Sequence, residues 1–87
     1  MKKIKLDSGL ELNVQDSVKN NMELLDDLVE LDEGNGYAIS RIVGRILDRQ
    51  EKKKLYDHLR VDGVTPVDRV VDSMKEIFDK LGDEGKN

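Results

Sequence analysis

Few side chains in this 87-residue sequence could carry out catalysis. His58 is the only histidine, there is no cysteine, and the four serines at positions 8, 17, 40 and 73 lie in no nucleophile motif. Acid–base catalysis near neutral pH most often uses histidine, and a serine nucleophile needs a neighbouring base. Because His58 lies beside Leu55 and Leu59 in a helical pattern, we expect it to be structural. We predict no catalytic residue and no enzymatic activity.

A group of acidic residues raises the question of a cation site. The segment at its end, Asp32-Glu33-Gly34-Asn35-Gly36, lacks the alternating oxygen ligands and the distant bidentate glutamate of a calcium loop. It also lacks the third glycine and the preceding strand of a dinucleotide-binding fingerprint. We interpret the acids as a solvated helix face and the glycines as a helix stop, and we predict no metal and no cofactor. The acids are Asp26, Asp27, Glu30, Asp32 and Glu33.

Basic residues concentrate in the middle of an acidic chain. Residues 41–60 carry 7 Lys or Arg against 3 Asp or Glu, whereas the whole chain has a net charge of −4. Two short predicted helices there permit a helix-turn-helix interpretation, a small DNA-binding regulator that uses Arg41 to Lys54. The acidic remainder and the scarcity of aromatic residues favour a basic surface that attracts an acidic protein or only solubilises the fold. The DNA-binding regulator is kept as the alternative.

Length and composition limit the architecture. A chain of 87 residues with 37% hydrophobic and 39% charged residues can form one small domain, 1–87. The absence of cysteine excludes a disulfide framework. The N-terminus has no apolar signal-peptide region, and no window approaches the roughly 20 apolar residues of a membrane span. We therefore expect a soluble, cytoplasmic domain without membrane contact.

Alternating apolar residues predict a β-hairpin over residues 1–15. The alternation holds on both sides of Asp7-Ser8-Gly9, a short polar segment that ends in glycine and suits a turn. A lone hairpin is marginally stable in water, so this one must pack against helices. The apolar positions that share one parity are Ile4, Leu6, Leu10, Leu12 and Val14.

Three- and four-residue apolar spacing predicts helices over residues 16–82. The first begins at Asp16 or Ser17, stops near Asp32 or Glu33, and has an apolar face made of Val18, Met22, Leu25, Leu28 and Val29. The others cover about 37–47, 48–60 and 65–82, leaving 83–87 as a flexible tail.

Local signals mark the helix ends. Asp48 and Glu51 have the spacing of a capping box, and Thr65-Pro66-Val67 starts the last helix, which Gly82 terminates. The predicted fold is α+β, mainly α: an N-terminal β-hairpin packed on three to four short helices.

The last predicted helix offers a candidate docking surface. Its apolar stripe is broad enough to serve as core or as a binding face. Some of the residues near its end should stay accessible, because Gly82 and the tail cover them poorly. These residues are Met74, Ile77, Phe78 and Leu81.

The order of these signals resembles the small tail assembly chaperones of long-tailed bacteriophages and prophages. The similarity spans nearly the whole chain and lies in the order and spacing of its segments. They are KIKLDSG (3–9), MELLDDLVELDEG (22–34), LYDHLR (55–60), TPV (65–67), EIF (76–78) and a Gly-Lys-Asn end (85–87).

The resemblance implies a non-enzymatic protein of the bacterial host cytoplasm. Such chaperones bind the tape-measure protein and recruit tail-tube protein during tail assembly, and they are absent from the mature virion. Many are also made as a longer frameshifted product, so residues 85–87 would mark the slippage point. For this chain we predict that a groove bordered by the last helix contacts the client, with Arg41, Arg45 and Arg49 as its polar rim. Self-association into a homo-oligomer stays open.

Overall fold

The computed structural model describes the backbone of residues 1–85 and the side chains of residues 1–82. The fold is α+β and mainly α, which confirms the predicted class: an antiparallel hairpin is followed by a 3₁₀ turn and four helices. The elements are β1 Lys2–Lys5, β2 Glu11–Val14, the 3₁₀ turn Asp16–Asn20, α1 Met22–Asp32, α2 Ala38–Ile46, α3 Arg49–Leu59 and α4 Val67–Gly85.

The hairpin forms where alternation predicted it. Ile4 lies opposite Leu12 in the antiparallel register, and both side chains are buried. The N–H of Leu6 donates to the carbonyl of Leu10 at 2.8 Å and closes the turn. Gly9 has a φ of 99°, a conformation that glycine adopts without steric cost. The buried face of the hairpin therefore packs on the helices.

The outer edge of β2 is covered by the corner between α2 and α3. The N–H of Asn13 donates to Oε1 of Glu51 at 2.9 Å, and the N–H of Gln15 donates to the carbonyl of Ile46 at 2.9 Å. An unpaired strand edge is a template for unwanted pairing, and these two bonds remove part of it.

The start of α3 confirms one half of the predicted capping box. The side chain of Asp48 accepts the N–H of Glu51 at 2.9 Å. The other half is wrong, because the Glu51 side chain does not reach back to the N-cap but turns to Asn13 and Lys54. Glu51 is buried, and the strand N–H beside it would otherwise lack an acceptor.

Helix α1 begins later than predicted. Asn21 is extended, and its side chain accepts the N–H of Leu24 at 3.0 Å, so the helix starts at Met22 and not at Asp16 or Ser17. A capping amide breaks the chain at that point, and residues 16–20 form a separate 3₁₀ turn.

The predicted end of α1 is confirmed. Gly34 has a φ of 103° and donates its N–H to the carbonyl of Leu31 at 3.1 Å. Asn35 donates its N–H to the carbonyl of Glu30 at 2.9 Å. The two bonds satisfy the last free carbonyls of the helix.

Helix α4 starts close to the predicted position and ends later. The Thr65 hydroxyl does not cap it but donates to the carbonyl of Tyr56 at 3.2 Å. The helix continues through Gly82 to Gly85, so the end predicted at Gly82 is wrong. A glycine stops a helix through a left-handed φ, and Gly82 does not have one.

The predicted flexible tail, 83–87, overlaps this helical end, and residues 86 and 87 lie outside the described residues.

One hydrophobic core joins the hairpin to all four helices. Its centre consists of side chains from β2, α2, α3 and α4 that solvent does not reach, and half-buried residues such as Leu28 and Phe78 pack around it. No helix within residues 1–85 is long and apolar enough to cross a membrane. The core side chains are Ile4, Leu6, Leu12, Val14, Leu24, Ile39, Ile42, Val43, Ile46, Leu47, Leu55, Val70, Met74, Ile77 and Leu81.

Candidate protein-binding surface

The outer side of α1 carries an exposed apolar row. Met22, Leu25 and Val29 are 62%, 50% and 48% exposed, and their spacing of three and four residues places them on one helix face. We name these three residues the α1 row. Adjacent exposed apolar side chains form a continuous surface, which makes this face a candidate interaction site.

The α1 row corrects the predicted orientation of this helix. Its apolar face was predicted from Met22, Leu25 and Val29 together with Leu28, but the core takes the opposite line of Leu24, with Leu28 and Leu31 packed against it. Leucines 24, 28 and 31 repeat at the same helical spacing as the α1 row. The sequence therefore contains two apolar lines on one helix, and the core can bury only one of them.

A shallow groove adjoins the α1 row. It runs between the 3₁₀ turn, α1 and α4, and it is lined mainly by apolar side chains, together with Lys19, Asn20 and Asn21. We name it the Phe78 groove after its half-buried aromatic ring. Its apolar lining includes Val18, Leu24, Leu25, Leu28, Phe78 and Leu81.

The structure places the four predicted residues of α4 differently. Met74 and Ile77 are buried in the core, and Leu81 is buried beneath the groove, which it helps to line. Only Phe78 is half-buried and presents part of its side chain to the groove. The accessible surface bordered by this helix therefore depends on Phe78, and α1 supplies most of the rest.

The structure uses two of the predicted rim arginines to join α1 to α2. Arg41 Nε lies 3.0 Å from Oδ1 of Asp27, and Arg45 Nε lies 2.6 Å from Oδ2 of the same carboxylate. Arg41 also pairs with Glu30 through its Nη2 atom. Asp27 is only 4% exposed, so the interpretation of all the acids of this segment as a solvated face is wrong for Asp27.

The electrostatics of this cluster follow from its geometry. The hydrogen bond from Arg45 lowers the pKa of Asp27, burial opposes that effect, and the bond from Arg41 adds to it, so the net shift is below the ordinary value. The hydrogen bond to Asp27 raises the pKa of Arg41. Two cations and one buried anion hold the helices together.

The three arginines do not line the Phe78 groove. Arg41 and Arg45 contact the Asp27 and Glu30 side of α1, whereas the groove opens on its Leu28 side. Arg49 is exposed at the start of α3 and makes no ion pair with any residue that the structure describes.

Two of the four cations of α3, Lys53 and Lys54, and Arg60 directly after the helix are paired with carboxylates of the chain. Lys53 Nζ lies 2.6 Å from Asp57 Oδ2, and Arg60 Nη1 lies 2.6 Å from Asp57 Oδ1. Bonds from both cations lower the pKa of Asp57. Lys54 Nζ lies 3.1 Å from Oε2 of Glu51. These anions reduce the charge that the basic segment can offer to a phosphate backbone.

Glu51 shows how the protein stabilises a buried carboxylate. Burial opposes its ionisation, but the N–H of Asn13 and the ammonium of Lys54 outweigh that effect and lower its pKa. The Glu51 carboxylate therefore attaches the hairpin to α3 and does not form part of a ligand site.

A second apolar surface lies at the start of α2. Tyr37 is 88% exposed and, with Ile39 and Val67, lines an apolar depression between α2 and α4. Local patterns did not predict this surface, because Tyr37 lies in the turn before α2 and Val67 starts α4, far away along the chain.

The sole histidine makes a structural contact. Nε2 of His58 lies 3.0 Å from the hydroxyl of Ser8, and both side chains are exposed. Lys80 Nζ lies 3.2 Å from Asp7 Oδ1, which attaches the same hairpin turn to α4. Exposed residues of this kind lack the enclosed, oriented geometry of an activated serine.

Within the described residues, no three His, Asp or Glu side chains are placed to hold a metal ion. The described part of the chain thus has exposed apolar surfaces and ion pairs that hold its elements together. Comparisons with protein-family models, with curated proteins and with solved structures found no match for this chain.

Proposed function

We propose that this chain is a non-enzymatic tail assembly chaperone that binds tape-measure and tail-tube proteins during phage tail assembly in the host cytoplasm. The observation that carries the proposal is the exposed α1 row, with Leu25 at 50% exposure and the Phe78 groove beside it. The resemblance of the segment order to this chaperone family supplies the choice of partners.

The shape of the surface suits a displaceable chaperone. A row of three side chains and a shallow groove provide a small contact area, and small contacts dissociate rapidly. A long, helix-rich tape-measure protein could bind many copies at once, so weak contacts would add up along its length. Each copy would shield apolar client surface and still leave when the tail tube assembles.

The alternative, a DNA-binding regulator, receives less support. It requires the charges of Arg41 to Lys54, and Arg41, Arg45, Lys53 and Lys54 all have carboxylate partners. Contacts to DNA phosphates would compete with these internal pairs. The net charge of −4 also opposes approach to DNA.

The direct test is co-expression with the tape-measure protein encoded in the same gene cluster. We expect the chaperone to keep that protein soluble and to co-purify with it. Val29→Asn on the α1 row should reduce the soluble fraction of the client several-fold. Val64→Asn is the control, because Val64 is also an exposed valine, 64% exposed against 48% for Val29, and lies in the loop between α3 and α4, away from the apolar surfaces described above.

The outcomes separate the surface from the function. If both variants fold normally and both fail to keep the client soluble, then client binding involves more of the surface than the α1 row. An insoluble tape-measure protein in the presence of the wild-type chain would contradict the chaperone proposal. Recovery of the chain in finished, purified virions would contradict its release before maturation.

A further inference from the structure

The α1 row is surrounded by carboxylates that have no partner within the described chain. Residues 22–33 contain six Asp or Glu and no Lys or Arg. Asp27 and Glu30 are held by arginines, but the other four are exposed and form no ion pair with any described residue. These four are Glu23, Asp26, Asp32 and Glu33.

Helix geometry places these acids beside the apolar side chains. Asp26 lies one turn after Met22, and Glu33 lies one turn after Val29, so both are neighbours of the row on the helix surface. Asp32 lies one turn after Leu28, on the groove side. The apolar row therefore has acids beside it along α1 and at its C-terminal end, whereas one cation, Lys19, lines the groove together with Met22.

From this we infer that the α1 row binds an amphipathic helix whose apolar line is flanked by Lys or Arg. This inference deepens the proposed function and rests on it, since it states which segments of a client the chaperone recognises. Apolar anchors at helical spacing would pack on Met22, Leu25 and Val29, as in other helix-in-groove interfaces. Flanking cations would pair with Asp26 and Glu33, which gives specificity and faster association.

Charge complementarity disfavours a second copy as the occupant of this row. Two copies joined through α1 would bring the same uncompensated acids together, and like charges that face each other across an interface oppose association. A basic client helix has the opposite charge and gains from the same acids.

The test uses two synthetic helical peptides with identical leucine positions. One has Lys beside the leucines, the other has Glu, and binding to the intact chain is measured by fluorescence anisotropy. We expect the Lys-flanked peptide to bind at least tenfold more tightly at low salt. The preference should shrink in 1 M salt, where the screening length falls to about 3 Å.

A charge-reversed pair of residues sharpens the test. Asp26→Lys with Glu33→Lys should abolish the preference for the Lys-flanked peptide. Asp68→Lys with Asp72→Lys is the matched control, because it makes the same change in net charge at exposed positions of α4. The control should retain the tenfold preference, and circular dichroism would verify that both variants are folded.

Several results would overturn the inference. They are equal binding of the two peptides, no binding of either, an unchanged preference after Asp26→Lys and Glu33→Lys, or a homodimer in sedimentation that Leu25→Asp dissociates. The peptide assay contains no tape-measure protein. If the chain keeps the tape-measure protein soluble but shows no peptide preference, only this inference is wrong. If the chain prefers the Lys-flanked peptide but leaves the tape-measure protein insoluble, only the chaperone proposal is wrong.

Discussion

Helices α1 and α3 each have eleven residues and many charges, but they use those charges in opposite ways. In α3, Lys53 and Lys54 have carboxylate partners, and Leu55 is buried. In α1, only Asp27 and Glu30 are paired, and three apolar side chains face solvent. Charge density along a sequence is therefore a poor guide to the charge available for a partner. The basic segment is the more conspicuous one in the sequence, whereas the acidic helix α1 carries the exposed apolar row.

The largest expected difference between the two helices concerns a matched pair of leucines. Leu55→Ala on α3 should destabilise the fold by about 3 kcal/mol, because Leu55 is inaccessible to solvent and truncation leaves a cavity. Leu25→Ala on α1 should change the free energy of unfolding by less than about 0.5 kcal/mol, because Leu25 is half exposed. Urea unfolding of both variants provides the measurement. Similar losses at the two sites would mean that Leu25 belongs to the core and that the α1 row is not a free surface.

The next largest difference concerns two glutamates in the first turns of these helices. Glu51→Ala should cost roughly 1–2 kcal/mol, because it removes the acceptor of the Asn13 N–H at the edge of the hairpin. Glu23→Ala should have an effect within about 0.5 kcal/mol, because Glu23 is exposed. Hydrogen exchange of the Asn13 amide would locate the damage. If that amide stays as protected in Glu51→Ala as in the wild type, the proposed attachment of the hairpin is wrong.

A smaller effect is the loss of folding stability that we expect as the pH falls. The Asp27 carboxyl has a pKa below its ordinary value of 3.8 in the folded state, so the unfolded chain binds its proton first as the pH falls. The stabilisation is complete above about pH 5 and is lost as the pH falls past 3.8 and through the lowered folded-state pKa.

The matched test of this acid effect replaces neighbouring residues. Asp27→Asn should flatten the fall in melting temperature below pH 4, and Asp26→Asn, at an exposed site, should leave the slope close to that of the wild type. Glu51, whose pKa is also lowered, maintains part of the slope in both variants. Identical slopes for Asp27→Asn and the wild type would show that the Arg41–Asp27–Arg45 cluster does not stabilise the fold at neutral pH.

The smallest expected effect is on binding to duplex DNA. The wild-type chain should not shift duplex DNA at physiological salt, and lowering the salt should add little binding, because the chain has a net charge of −4 and Lys53, Lys54 and Arg60 are paired with carboxylates. A gel-shift assay at two salt concentrations measures this directly. A steep salt dependence that Arg49→Gln reduces would favour the DNA-binding regulator and would reverse the contrast between α1 and α3.

Local patterns predicted most of the fold because they depend on short-range physics. The parity of Ile4 and Leu12 and the turn at Gly9 specified the hairpin, and the Asp48 cap specified the start of α3. The cap at Asn21 was missed, because Asp16 and Ser17 give the same kind of signal five and four residues earlier. The end of α4 was missed because a glycine marks a helix stop only where its φ is positive.

The candidate surface was harder to predict than the fold. Leu24, Leu28 and Leu31 repeat at helical spacing, and so do Met22, Leu25 and Val29, so periodicity could not say which line is buried. The ion-pair partners of Asp27 could not be predicted either, because Arg41 and Arg45 are fourteen and eighteen residues away along the chain. Of the predicted α4 residues, only Phe78 kept an accessible side chain, since the core needed the others.

The amino-acid order thus specified which elements form and where most of them begin, since hydrogen-bonded caps, turns and apolar periods act over a few neighbouring residues. The packed fold alone determined which face of α1 is left in solvent and which charges remain without a partner. Both depend on how much apolar surface the hairpin and the other helices can bury, and on ion pairs between residues far apart in the chain. Those quantities arise only when the elements come together, and the candidate binding surface depends on them.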